Sequence, residues 1–88
     1  MSNADEDMDR AVQLALVRHL VKAGAARQLR EESHLSLADV GRALHGVAPS
    51  TVLRWEHGHC VPRGERALRY AELLTSLART LGEAKVVS

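Results

Sequence analysis

Between Leu35 and Gly58 the chain reads LSLADVGRALHGVAPSTVLRWEHG, and this stretch limits the possible folds more than any other. Ser36 can cap a helix, and Leu37, Val40, Ala43 and Leu44 recur behind it at helical spacing. That helix should stop near His45-Gly46, where glycine can take the left-handed conformation that closes a C-terminus. Pro49 suits the first turn of a second helix, because its φ is already fixed and its missing N–H had no partner to lose. Val52 and Trp55 lie three apart and face inward, and Gly58 ends the second helix. Gly41 supplies the small residue needed where two helices cross almost in contact. The spacing therefore predicts two short helices at a steep angle, joined by a few residues.

The flanking segments must supply the core that this pair cannot make alone. A chain of 88 residues makes one domain and buries only about 60% of its unfolded surface. With one Trp, one Tyr and no Phe, that core must be built from Leu, Val and Ala. Such a composition suits close-packed short helices, and the alternation of a half-buried strand is absent. The expected fold is an all-α compact helical bundle with an extended N-terminal helix.

Residues 1–6 are expected to form a disordered acidic tail, with Asp7 or Asp9 capping the first helix. From Met8, the residues Val12, Leu14, Leu16, Val17, Leu20 and Val21 make a helix apolar around much of its circumference. A helix of that kind is buried on more than one side, which points to a partner subunit. Gly24 should break it, with a further helix through Leu29, Arg30 and Glu32. After the motif at 36–58, residues 59–64 read as a loop, and a last helix runs from Glu65 to Leu81 with Gly82 as its stop. The folded domain is then 7–82, with 83–88 a frayed C-terminus.

The net charge of +1 hides an asymmetry. Residues 1–10 carry four acids against Arg10, a balance of −3, while residues 11–88 carry 11 basic and 7 acidic side chains, a balance of +4. The folded part is mildly basic, as a phosphate-binding surface requires. The single Cys excludes an internal disulfide framework, the acidic N-terminus does not read as a secretory signal, and no apolar run approaches the roughly 20 residues that cross a bilayer. These features lead to the expectation of a cytoplasmic protein. No nucleophile–His–acid set or Gly-rich phosphate loop appears, so no enzyme activity and no cofactor are expected. His57, His59 and Cys60 are too close together to complete a tetrahedral site, and no second cluster exists, so no metal is expected.

The pattern L-S-x-x-x-V-G-x-x-L…G-V-x-P-S-T-V-x-R-W-E-x-G resembles the Cro and cI-type phage repressors, the XRE helix-turn-helix family, from about Arg27 to about Leu74. The turn holds one residue more than the usual family pattern, best placed at His45. Ala48 stands where the family usually has a Ser or Thr cap, which weakens the second helix by roughly 1 kcal/mol.

The resemblance implies a lambda-repressor-like DNA-binding domain whose recognition helix, 49–57, lies in the major groove. By position, Pro49, Ser50, Thr51, Leu53 and Arg54 would contact bases. Arg54 carries the fork of donors that suits guanine O6 and N7. Pro49 stands where the family often has Gln, so no adenine-reading amide is expected there. Ser36, His57, His59 and Arg63 would contact the DNA backbone, positioning the protein without reading sequence. An acid at the end of a recognition helix would repel phosphate unless neutralised, and the resemblance implies that Glu56 pairs with Arg30.

The function so implied is that of a small Cro-like or repressor-type transcription regulator, a homodimer on an approximately palindromic double-stranded DNA operator. Two alternatives stay open: the antitoxin of a toxin–antitoxin pair with autoregulatory DNA binding, and a helix-turn-helix used purely as a protein-interaction module.

Overall fold

Helix ends in this chain are set by left-handed residues, and two of these are histidines. The computed structural model describes residues 3–87 as five helices: α1 (Asn3–Lys22), α2 (Ala25–Glu32), α3 (Leu37–Ala43), α4 (Pro49–Glu56) and α5 (Gly64–Val87). Among the described residues there is no strand. Gly24, at φ 78°, separates α1 from α2. His34 (φ 58°) ends α2, and His45 (φ 64°) begins the turn after α3. At both ends the final carbonyls are closed in the same way. The N–H of Leu35 donates to the Arg30 carbonyl at 3.1 Å and that of His34 to Glu31 at 3.0 Å. The N–H groups of Gly46 and His45 do the same to Gly41 and Arg42, both at 3.1 Å.

The core gathers side chains from all five helices. Val17 of α1 and Ala26 of α2 meet Val40 and Leu44 of α3, Val52 and Trp55 of α4, and Tyr70, Ala71 and Leu74 of α5. Trp55 and Tyr70, the two large aromatics, pack with ring centroids 5.1 Å apart and planes tilted by 39°. Burying each large apolar side chain contributes about 1.5–3 kcal/mol. That is how two short motif helices, unstable alone, are held in place.

Two sequence expectations need correction. Helix α1 begins at Asn3, so residues 3–6 of the expected acidic tail are helical, while Met1 and Ser2 lie outside the described residues. Asp5 and Glu6 in its first turn favour this early start by facing the positive end of the helix dipole. Helix α5 begins at Gly64 and continues through Gly82 to Val87, with only Ser88 of the expected frayed end outside the described residues. A glycine stops a helix by turning left-handed, and Gly82 does not. Its cost of about 1 kcal/mol is offset by the helix-forming residues on either side. Within the subunit, α1 is buried along one side. Val17 is buried and Leu20 and Val21 are partly buried against the core, whereas Met8 and Val12 are exposed. Burial along α5 likewise fades beyond Leu74: Leu77 and Leu81 are half-buried and Ala78 is exposed.

Candidate nucleic-acid interface

Helix α3 starts with a capping box. The Ser36 hydroxyl accepts from the Asp39 N–H at 2.9 Å, and the Asp39 carboxylate accepts from the Ser36 N–H at 2.9 Å. Hydrogen bonding with Ser36, chiefly through that N–H, holds the Asp39 carboxyl below the ordinary carboxylate value. Arg42, one turn on, donates to the same carboxylate at 2.5 Å. The cap leaves the Ser36 hydroxyl with a proton to donate outward, while its backbone N–H is already engaged. Sequence reasoning assigned no role to Asp39 or Arg42, although the S-x-x-D spacing at 36–39 was the available signal.

The turn to α4 runs over Gly41. A Cβ built there would come within 2.1 Å of the Val47 carbonyl oxygen. The small residue is therefore required by the backbone of the turn, and not by a crossing of two helices. That close approach brings the Val47 N–H back to the Gly41 carbonyl at 3.0 Å. The turn is thus fixed by backbone bonds at both left-handed residues, His45 and Gly46.

Helix α4 divides sharply by face. Val52, Trp55 and Glu56 are buried, at 0%, 3% and 7% exposure. Pro49, Ser50, Leu53 and Arg54 are exposed on the other side. Thr51 is half-buried at the flank, so it lies on the edge of the outward face and not within it. Pro49 occupies the first turn, and Ala48 before it offers no side-chain cap, so the opening N–H groups have no side-chain partner there.

The two charged residues of α4 are treated oppositely. Glu56 is turned inward and gripped by Arg30 of α2: Nε donates to Oε2 at 2.5 Å and Nη2 to Oε1 at 3.0 Å. Arg30 Nη1 also donates to the Leu35 carbonyl at 3.1 Å. The carboxylate partner raises the Arg30 pKa, and Tyr70, buried close to Glu56, is pushed well above the ordinary phenol value. Arg54 is left as the exposed charge on α4.

Beyond α4 the chain turns at Gly58 and presents His57 and His59, both exposed, with rings 5.6 Å apart in an edge-to-face arrangement. Arg63 is exposed just before α5. Ser36, Pro49, Leu53, Arg54, His57, His59 and Arg63 are thus each exposed, while the one acid of α4 is buried and neutralised. Such a surface can take hydrogen bonds and charge from a polyanion.

A family model described as helix-turn-helix matches residues 27–77, from within α2 to within α5. No curated protein and no solved structure matches the chain. The family match spans more than half of the 88 residues and contains the whole α3–turn–α4 unit described above. The chain belongs to the XRE-type helix-turn-helix family of DNA-binding regulators.

Proposed function

We propose that the protein is a small repressor-type transcription regulator that binds double-stranded DNA sequence-specifically as a homodimer. Helix α4 enters the major groove, and its exposed residues Pro49, Ser50, Leu53 and Arg54 meet base edges, with Thr51 at the rim. Ser36, His57, His59 and Arg63 hold the sugar–phosphate backbone on either side. The two-fold relation of the subunits calls for an approximately palindromic operator, with half-sites about one helical turn, 10–10.5 base pairs, apart. Regulation then follows from occlusion or recruitment of polymerase at the site.

The observation that carries this reading is the opposite treatment of the two charges on α4. Glu56 is buried and bridged to Arg30, while Arg54 projects from the outward face. A surface meant for a protein partner has no need to hide its acid and keep its base. The test is retention of the protein on random-sequence duplex DNA at low salt, followed by the slope of affinity against salt concentration. Retention with a steep inverse slope supports the reading. Failure to bind at low salt overturns it and leaves the motif as a protein-interaction module.

A further inference from the structure

Helix α1 precedes the family match, which starts at residue 27, and the described residues along its outer face are exposed. Along that face Asp5, Met8, Val12, Ala15, His19 and Lys22 follow one another at alternating steps of three and four, and all six are exposed. This is the heptad spacing of a helix–helix seam. Met8 and Val12, one turn apart on this face, are each 65% exposed.

The seam is also charged by end. Asp5, Asp7 and Asp9 lie at its start, and Arg18, His19 and Lys22 at its finish. A parallel neighbour of the same sequence sets acid on acid and base on base. An antiparallel one sets each acidic end on a basic end. At the basic end, Val61 is 48% exposed and borders an apolar pocket of about 330 Å³ with Val21, Cys60 and Pro62, rimmed by Arg18 and Lys22.

We propose that α1 pairs antiparallel with α1 of a second copy, about a two-fold axis passing between Val12 and Ala15. In that register Val12 meets Ala15, Met8 meets His19 and Asp5 meets Lys22, each pair occurring twice by symmetry. Met8 of each copy comes to the basic end of the other, beside His19 and Lys22. Two of the exposed large hydrophobics, Met8 and Val12, are thereby covered, and Leu53 stays free on the outward face of α4. Helix α1 is 20 residues long, about 30 Å, and the seam along it has few apolar layers, so dimers form only at concentrations of roughly tens of micromolar. The proposal specifies the partner surface of the homodimer invoked above and rests on that reading for its bearing on operator binding, but its test needs no DNA.

The test is sedimentation equilibrium of the full chain at low salt, from about 10 µM to 1 mM, with circular dichroism as the check on folding. Wild type should show a monomer–dimer equilibrium. Val12→Glu should raise the dissociation constant at least about tenfold with helicity unchanged, and with melting temperature unchanged at concentrations where wild type is monomeric, because Val12 lies outside the core. Asp5→Lys and Lys22→Glu should each weaken association, and the combined Asp5→Lys/Lys22→Glu chain should recover it. A wild-type monomer across the whole range overturns the proposal. So does a folded Val12→Glu dimer, which would place the interface elsewhere, for example at Leu77 and Leu81 of α5. Failure of the double change to recover overturns the register. Retention of the monomeric Val12→Glu chain on random DNA reads the DNA-binding proposal separately.

Discussion

Arg30 on α2 holds Glu56 on α4 through two guanidinium–carboxylate hydrogen bonds, and its remaining nitrogen holds the Leu35 carbonyl that leads into α3. One side chain thus ties three successive segments together beneath the outward face. The pair is deeply placed, with side chains 14% and 1% exposed. Desolvation offsets much of the attraction in such a pair, so its net contribution to stability is small. Removing one partner is a different matter.

Arg30→Ala should therefore destabilise the fold by about 3–5 kcal/mol, because Glu56 is left charged and buried without its partner. Replacing both residues by Met should cost far less than the sum of the single changes. Urea denaturation of the two single variants and the pair gives the coupling directly. Additive losses would show that the two residues do not act as a unit.

Gly41→Ala tests the turn. The new Cβ meets a backbone oxygen 2.1 Å away, and no flexible side-chain tip is there to yield. The turn must open, at a cost of about 1–3 kcal/mol or more. The mean residue helicity should fall only slightly, since alanine itself favours helix. DNA retention should be lost more sharply than helicity, because α4 moves with the turn.

His34 and His45 each hold a left-handed backbone, at φ 58° and 64°. An L-residue pays roughly 1–2 kcal/mol there, part of which glycine returns as unfolded-state entropy. His45→Gly should therefore stabilise the protein by about 0.5 kcal/mol, and the β-branched His45→Val should destabilise it. Thermal unfolding of both variants distinguishes this from any effect of imidazole charge, which both remove.

How much of this was legible beforehand differs by residue. The all-helical class and the helix-turn-helix follow from the 3.6-residue recurrence of Leu37, Val40 and Leu44 and the placement of Pro49, and these are local signals. The inward placement of Val52 and Trp55 fixes, by helical geometry alone, that Ser50 and Arg54 point outward. Glu56 is less obvious: nothing local distinguishes a buried acid from a solvated one, and Arg30 is 26 residues away. The function of Gly41 was assigned to a helix crossing because a sequence does not show which atom approaches; here it is a carbonyl of the turn. Gly82 misled for the opposite reason, since a glycine marks a possible stop but does not impose one. The second apolar side of α1 was read as pointing to a partner subunit, and within the subunit its Met8 and Val12 are exposed. An apolar helix reads the same whether its second side meets its own chain or a second copy.

The capping box gives a pH prediction. Hydrogen bonding with Ser36 places the folded-state pKa of Asp39 below its unfolded value. A carboxylate lowered in this way contributes its stability in full above the unfolded pKa of about 3.9. That contribution is lost as pH falls through the lowered folded value. Wild type should therefore lose stability more steeply than Asp39→Asn as pH falls below about 4, and the two curves should run parallel near neutrality. Denaturation midpoints measured from pH 7 to pH 2 provide the comparison. Matching slopes at low pH would show that the cap does not couple to protonation.

Arg54 bears the sharpest prediction about function. It lies on α4 one turn beyond Ser50, exposed, while Val52 and Trp55 anchor the opposite face. If its planar fork reads guanine, Arg54→Ala should cost roughly 1–3 kcal/mol on the selected operator and relax preference at one base pair per half-site. Arg54→Lys keeps the charge but lacks the two parallel donors, so it should recover random-DNA affinity and only part of the discrimination. Thermal stability should hardly change in either variant, since the side chain is exposed and packs against nothing that holds the core. The measurement is a titration of all three proteins against the operator, its single-base variants and random duplex at one fixed salt concentration. Equal losses on operator and random DNA would move Arg54 to the phosphate contacts. No loss on either would mean that the outward face of α4 is not the surface that reads DNA.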